Sequence, residues 1–257
     1  MVSKHVRPMA PLLAAGLVAA ALPALAQRAP SPMPTELSAE ILSLTCAPGL
    51  TYEAPPTPLR ITGSQESFVH RSFAPGDLIT INIGTDNGIE VGQEYYTRRA
   101  MPIEGHPIGR DNPATIHTTG WIRIYAVDAQ ISLATITYAC DSVGLSDYLE
   151  PFVLPTVPEI SAGRPAAQRG DHGRVLPGND NRTSFARDDY FLVDRGSDHG
   201  VAVGAQFVVY RDKREPGNFL FDLGEAVAVA VRPQSPTLRV TLSRDAFTVG
   251  DYVALRK

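Results

Sequence analysis

Gly84-Thr85-Asp86-Asn87-Gly88-Ile89-Glu90-Val91-Gly92 returns later in the chain as Gly196-Ser197-Asp198-His199-Gly200-Val201-Ala202-Val203-Gly204. Both stretches read G-x-D-x-G-[IV]-x-V-G. Both follow an apolar run of strand character, at 78–83 and 190–194, and both lead into an aromatic-bearing run that ends in arginine, at Arg98-Arg99 and at Tyr210-Arg211. Self-similarity of this kind marks a duplication. The glycine spacing is neither G-x-G-x-x-G nor that of a phosphate-binding loop, and no helical pattern follows it, so the motif reads as a structural turn. Gly84, Gly88, Gly92, Gly196, Gly200 and Gly204 supply backbone freedom, and Asp86 and Asp198 are expected to cap local amides.

Outward from the motif, short apolar runs bounded by turn residues read as strands. In the first copy they lie at 59–63, 76–83, 93–99, 120–127, 133–139 and 148–154; in the second at 174–176, 190–194, 206–211, 224–231, 238–243 and 252–255. At an offset of 104 Gly120 aligns with Gly224, Gln130 with Gln234, Asp141 with Asp245, and Asp147-Tyr148 with Asp251-Tyr252. The front halves align at an offset of 112 because a polar excursion at 100–119 is eight residues longer in the first copy. Leu238, Val240 and Leu242 alternate with Arg239, Thr241 and Ser243, and Ala134, Ile136 and Tyr138 keep the same phase, so one face packs and one is wet. The run Ala226-Val227-Ala228-Val229-Ala230-Val231 is apolar on both faces and predicts the most enclosed strand. The expected fold is all-β: two tandem small β-barrel or SH3-like domains, 59–154 and 174–257, joined by a flexible Pro/Gly/Arg/Ala-rich linker at 155–173 that allows relative movement.

Ahead of the repeats, Lys4 and Arg7 precede an apolar core at 12–22 and Ala24-Leu25-Ala26, which together read as a secretory leader cleaved after Ala26. Its apolar core is shorter than the ~20 residues of a membrane span, and no later segment reaches that length. Loss of the leader removes two cations and no acid, taking the net charge from −4 to −6. An acidic chain without a basic block has no electrostatic footprint for nucleic acid. The segment 27–58 opens proline-rich and carries a short helix, with Thr35 as N-cap and Leu37, Ile41 and Leu44 on one face, expected to pack on the first domain. From 47 to 58 four prolines predict an extended connector. An exported chain with two cysteines predicts a disulfide between Cys46 and Cys140, closing a 94-residue separation.

No motif of nucleophilic or metal-dependent hydrolysis is present, and none of the five histidines beyond the leader has a helical partner for zinc; His172 and His199 lie in predicted loops. The repeated aspartates sit at separate turns without an EF-hand run. Neither a cofactor nor a metal is expected. Trp121 and Tyr125 stand where the second copy has Glu225 and Val229, and with Arg98 and Arg99 they make a candidate binding surface, against which core packing and solvated strand-end charge are the plainer readings.

The order of apolar strand, G-x-x-x-G-[VI]-x-V-G, aromatic strand, Gly with V-x-V-x-V, and closing G-D-x-V resembles the C-terminal domain of the flagellar assembly protein T family, and similar small β domains of exported bacterial proteins that accompany peptidoglycan-binding modules. The resemblance is carried by residues 190–194, Gly196, 200–204, 207–211, 224–231 and Gly250-Asp251-Tyr252-Val253. The first copy follows less closely, with Ser146 in place of Gly250. The resemblance implies an envelope-facing assembly or scaffold module without catalysis. The expected function is a non-enzymatic periplasmic or secreted adaptor that engages envelope proteins, and the alternative is a peptidoglycan or glycan binder that uses Trp121 and Tyr125.

Overall fold

A computed structural model describes residues 37–52, 57–65, 71–103, 113–160, 167–213 and 219–256. The leader at 1–26, the proline-rich start and Thr35 lie outside the described residues. Within them the chain is mostly β, with one helix, α1 (Ala39–Thr45). The first half runs β1 (Gly49–Thr51), β2 (Ile61–Ser64), β3 (Ser72–Phe73), β4 (Leu78–Ile81), β5 (Glu94–Pro102), β6 (Ala114–Val127), β7 (Ser132–Ala139), β8 (Val143–Gly144) and β9 (Tyr148–Pro151). The second runs β10 (Ala167–Leu176), β11 (Ser184–Phe185), β12 (Tyr190–Val193), β13 (Gln206–Asp212), β14 (Leu220–Val231), β15 (Pro236–Ser243), β16 (Phe247–Thr248) and β17 (Tyr252–Arg256).

The second half is a closed barrel in the order β10-β12-β15-β14-β13-β17. The first is a seven-stranded sheet in the corresponding order β2-β4-β7-β6-β5-β9, with β1 added against β6. An isolated bridge between Arg60 and Tyr148 draws its two ends together. The short pairs β3-β8 and β11-β16 also correspond. Residues Leu37–Lys257 belong to one compact unit rather than two. The stretch read as a linker contributes to it: β10 begins at Ala167, and Gly173 and Arg174 are registered against Val253 and Tyr252.

Each half buries its own core, as the alternation predicts. Phe185, Phe191, Phe207 and Phe247 fill the barrel with Val175, Val193, Val209, Leu238 and Val240. Four phenylalanines leave room for only small neighbours, and Ala226 and Ala228 of β14 complete the same cluster. The first half substitutes isoleucine: Ile61, Ile79, Ile81, Ile122, Ile124 and Ile136 pack with Phe73, Val143 and Leu149. The outward residues of β14, Val227 and Val229, pack on Leu44 of α1. This explains why the strand is apolar on both faces, and it corrects the helix placement. The side chains of α1 dock on the second half, and its N-cap is Ser38, whose hydroxyl accepts from the Ile41 amide at 3.3 Å.

The glycine motifs form one-turn 3-10 helices at Thr85–Asn87 and Ser197–His199, each ended by a left-handed glycine, Gly88 (φ 79°) and Gly200 (φ 78°). The turn amides are not capped by aspartate as expected. Thr85 and Asp86 donate to the carbonyls of Asp128 and Ala129 at 2.9 and 3.0 Å, and Ser197 and Asp198 donate to those of Arg232 and Pro233 at 3.0 and 3.0 Å. The turn lies so close to the neighbouring hairpin that a Cβ on Gly84 would stand 2.1 Å from the Asp128 oxygen, and one on Gly196 2.2 Å from the Arg232 oxygen. At the closing turn Ser146 (φ 69°) holds the left-handed conformation that Gly250 (φ 92°) holds in the barrel. The stretch at 100–119 is not a loop throughout: β5 continues to Pro102 and β6 starts at Ala114, paired from Pro102↔Ala114 onward.

Two opposite substitutions check this account in urea unfolding. Gly84→Ala should destabilise by about 1–3 kcal/mol, since the methyl has no space that rigid backbone can yield. Ser146→Gly should stabilise by about 1 kcal/mol by relieving the left-handed conformation. An unchanged midpoint for Gly84→Ala contradicts the close approach.

Candidate functional site

The segment that joins α1 to β1 lies between the two halves and is held by both. On the side of the first sheet, Gly49↔Ile116, Leu50↔Thr115 and Thr51↔Ala114 pair in antiparallel register, and Cys46 is bonded to Cys140, Cα to Cα 5.6 Å, giving the expected disulfide. On the barrel side, Leu50 packs with Leu176 and Leu192. Asn179 donates through Nδ2 to the Cys46 carbonyl at 3.0 Å, and the Thr237 hydroxyl donates to the Pro48 carbonyl at 2.6 Å. Glu40 pairs with Arg239. A cavity of about 150 Å³ remains at this seam, lined by Arg98, Ile116, Thr118, Val229, Ala230 and Arg232 among others.

The four residues of the candidate binding surface do not come together as one exposed patch. Trp121 is 4% exposed and stacks on Tyr138 and Phe152 at 4.6 and 5.2 Å between ring centroids. Tyr125, four residues on, is 65% exposed. The Arg98 guanidinium pairs with Glu150, lies 4.4 Å from the Tyr96 ring centroid and faces the seam cavity. Arg99 makes a two-pronged contact with Asp147, Nε to Oδ1 at 2.8 Å and Nη2 to Oδ2 at 3.1 Å.

That last contact is repeated. Arg211 grips Asp251 with Nε to Oδ1 at 2.9 Å and Nη2 to Oδ2 at 2.7 Å, and its guanidinium is held protonated beyond its ordinary range chiefly by this hydrogen bond. Each aspartate also accepts from the closing turn, Asp147 from the Gly144 amide at 2.8 Å and Asp251 from the Thr248 amide at 2.7 Å, and Asp147 accepts further from the Thr119 hydroxyl of β6 at 2.9 Å. Arg99 of β5 and Arg211 of β13 are therefore structural clasps on buried carboxylates, and bidentate geometry suits them to that task.

Two features escape a reading of sequence alone. Phe219, Leu220 and Phe221, at the start of β14, are 66%, 44% and 40% exposed. Their signal is present in hindsight: adjacent strand residues point to opposite faces, so three large apolar neighbours need cover on both sides. The second is His117, which lies in β6 within the stretch taken for a polar excursion and forms, with Asp141 and Asp180, a group of potential ligands. Among the described residues no helix is long and apolar enough to cross a membrane. No protein-family description matches the chain. No curated protein matches it.

Unfolding measurements separate a packed tryptophan from a presented one. Trp121→Ala should lose about 3–5 kcal/mol, and Tyr125→Ala should stay within about 0.5 kcal/mol of the parent. Replacing Cys46 and Cys140 together by serine should lower stability by about 2–5 kcal/mol; a double variant as stable as the oxidised parent rules out a fastening role for the bond.

Proposed function

We propose that this chain is an exported, non-enzymatic protein of the bacterial cell envelope that serves as an adaptor or assembly scaffold. In this reading its two β units derive from an internal duplication. The likeness of its turn and strand pattern to the flagellar assembly protein T family supports the class of role, and the leader-like start together with the disulfide supports an oxidising compartment, periplasmic or extracellular. The observation that carries the reading is the exposed apolar run Phe219-Leu220-Phe221 on a hairpin arm of a cross-fastened body. Large exposed apolar neighbours on a strand paired along one sheet edge mark a protein contact surface rather than a catalytic pocket.

The glycan-binding alternative relied on Trp121, whose burial removes the larger part of its aromatic surface. Tyr125 alone would have to carry it.

A photoreactive phenylalanine analogue at Phe219, introduced into the full chain and activated in the producing cells, should yield a reproducible adduct with an envelope protein. The adduct should vanish when Phe221→Ser is added, while urea unfolding of that variant is nearly unchanged. Absence of any protein adduct, combined with saturable co-sedimentation of the purified chain with peptidoglycan sacculi, replaces the adaptor reading by the glycan one.

A further inference from the structure

His117 is 3% exposed, yet its Nδ1 has no hydrogen-bond partner. Asp180 Oδ1 lies 3.2 Å from that nitrogen, and Asp141 Oδ2 lies 3.4 Å from Nε2. One ligand atom from each of the three residues falls within 4.8 Å of the others. The two carboxylates are partly exposed, at 47% and 64% of their side chains, so the group opens toward solvent at one end and is closed by the imidazole at the other.

A hydrogen bond needs the N–H to point at its acceptor, and Nδ1 and Asp180 are at contact distance without that alignment. A metal ion makes a different demand: nitrogen and oxygen both aim at a third centre. Two ligands each about 2.0–2.2 Å from a tetrahedral zinc are about 3.3–3.5 Å apart, close to the Nδ1–Asp180 spacing, and one ligand atom of Asp141 lies within 4.8 Å of the other two. A buried imidazole nitrogen without a partner is costly in any folded protein, and a cation would satisfy it.

The three ligands come from segments already fixed for other reasons. His117 lies in β6 opposite Arg99. Asp141 follows the disulfide cysteine Cys140, and its amide donates to the Thr119 carbonyl at 3.1 Å. Asp180 sits in the one-turn helix Asn179–Asn181 with left-handed φ and ψ of 52° and 36°, beside Asn179, whose side chain is tied to the Cys46 carbonyl. The Asn179 Oδ1 is itself buried without a partner. Such anchoring on both sides is what preorganises a metal site.

We propose that His117, Asp141 and Asp180 bind a first-row divalent transition cation, zinc by preference, across the seam between the two halves. One imidazole and two carboxylates suit zinc chemistry, whereas calcium requires six to eight oxygens. A fourth position is left to water or to a donor from outside the group. Because Asp180 belongs to the second half and the other two ligands to the first, the ion fastens one half to the other beside the disulfide.

The test is titration of the full, disulfide-bonded chain with zinc chloride after chelator treatment and dialysis, followed by calorimetry, and titration with cobalt(II) chloride followed by visible absorption. The expected result is one site per chain, a four-coordinate cobalt spectrum, and at least a tenfold weaker affinity in both Asp180→Asn and Asp141→Asn, in keeping with the dependence of metal sites on each supporting carboxylate. Zinc should also raise the unfolding midpoint of the parent and not that of Asp180→Asn. Both aspartates are exposed enough that their amides leave folding intact, so the outcome does not depend on a His117 variant that fails to fold. Absence of saturable binding in the parent overturns the proposal, as does Asp180→Asn binding with the parent's affinity, which would assign the zinc to other residues.

Discussion

The segment from α1 through β1 has to satisfy two bodies at once, and the arrangement of the whole chain follows from that constraint. Its backbone is spoken for by β6, because Gly49, Leu50 and Thr51 extend the first sheet. Its side chains are spoken for by the barrel, because Leu44 and Leu50 insert into clusters of Val227, Val229, Leu176 and Leu192. A strand pairs in the plane of its sheet and projects side chains out of that plane, so one short segment can serve two layers without conflict. The disulfide at Cys46 then fixes the segment at the point where it passes from helix to strand. Both halves acquire a common wall, and residues Leu37–Lys257 form one compact unit although each half has its own core.

The two clasps, Arg99 on Asp147 and Arg211 on Asp251, play a quieter part within each half. An aspartate nearly without exposure is tolerated only when its oxygens are filled, and here a guanidinium, a turn amide and a hydroxyl fill them. The clasp ties the aromatic strand to the turn that closes the sheet. It is therefore a device for closure, and its recurrence at corresponding places in both halves agrees with the recurrence of the strand order.

Much of the β framework was legible because its period is strict. Ala134 and Ile136, and Leu238 and Val240, face inward as their alternation requires. The seam was not legible, for a physical reason. Thr115, Thr118, Thr119 and His117 are all buried although the polar run at 100–119 reads as a loop. They are buried because ladder pairing satisfies their backbones and because hydroxyls such as that of Thr119 find partners at Thr97 and Asp147. That information resides in residues distant along the chain. Trp121 shows the same limit from the other side: a tryptophan without a counterpart in the second half suggests a display surface until Tyr138 and Phe152 are seen to enclose it. Val227 and Val229 were correctly read as covered, but their cover, α1, lies far away along the chain.

That distance governs how the molecule can be assembled. Thr237 reaches Pro48 across a separation of 189 residues, and Arg239 reaches Glu40 across 199. Contacts so far apart in sequence cannot form until nearly the entire polypeptide is free to fold, and loop closure on that scale makes folding slow. The segment from α1 through β1 is thus among the last parts to reach its final place against the barrel. Until the barrel is complete, Leu44 and Leu50 lack the surface that covers them, so the interval before closure is when the young chain is most exposed to wrong pairing or to chaperone capture.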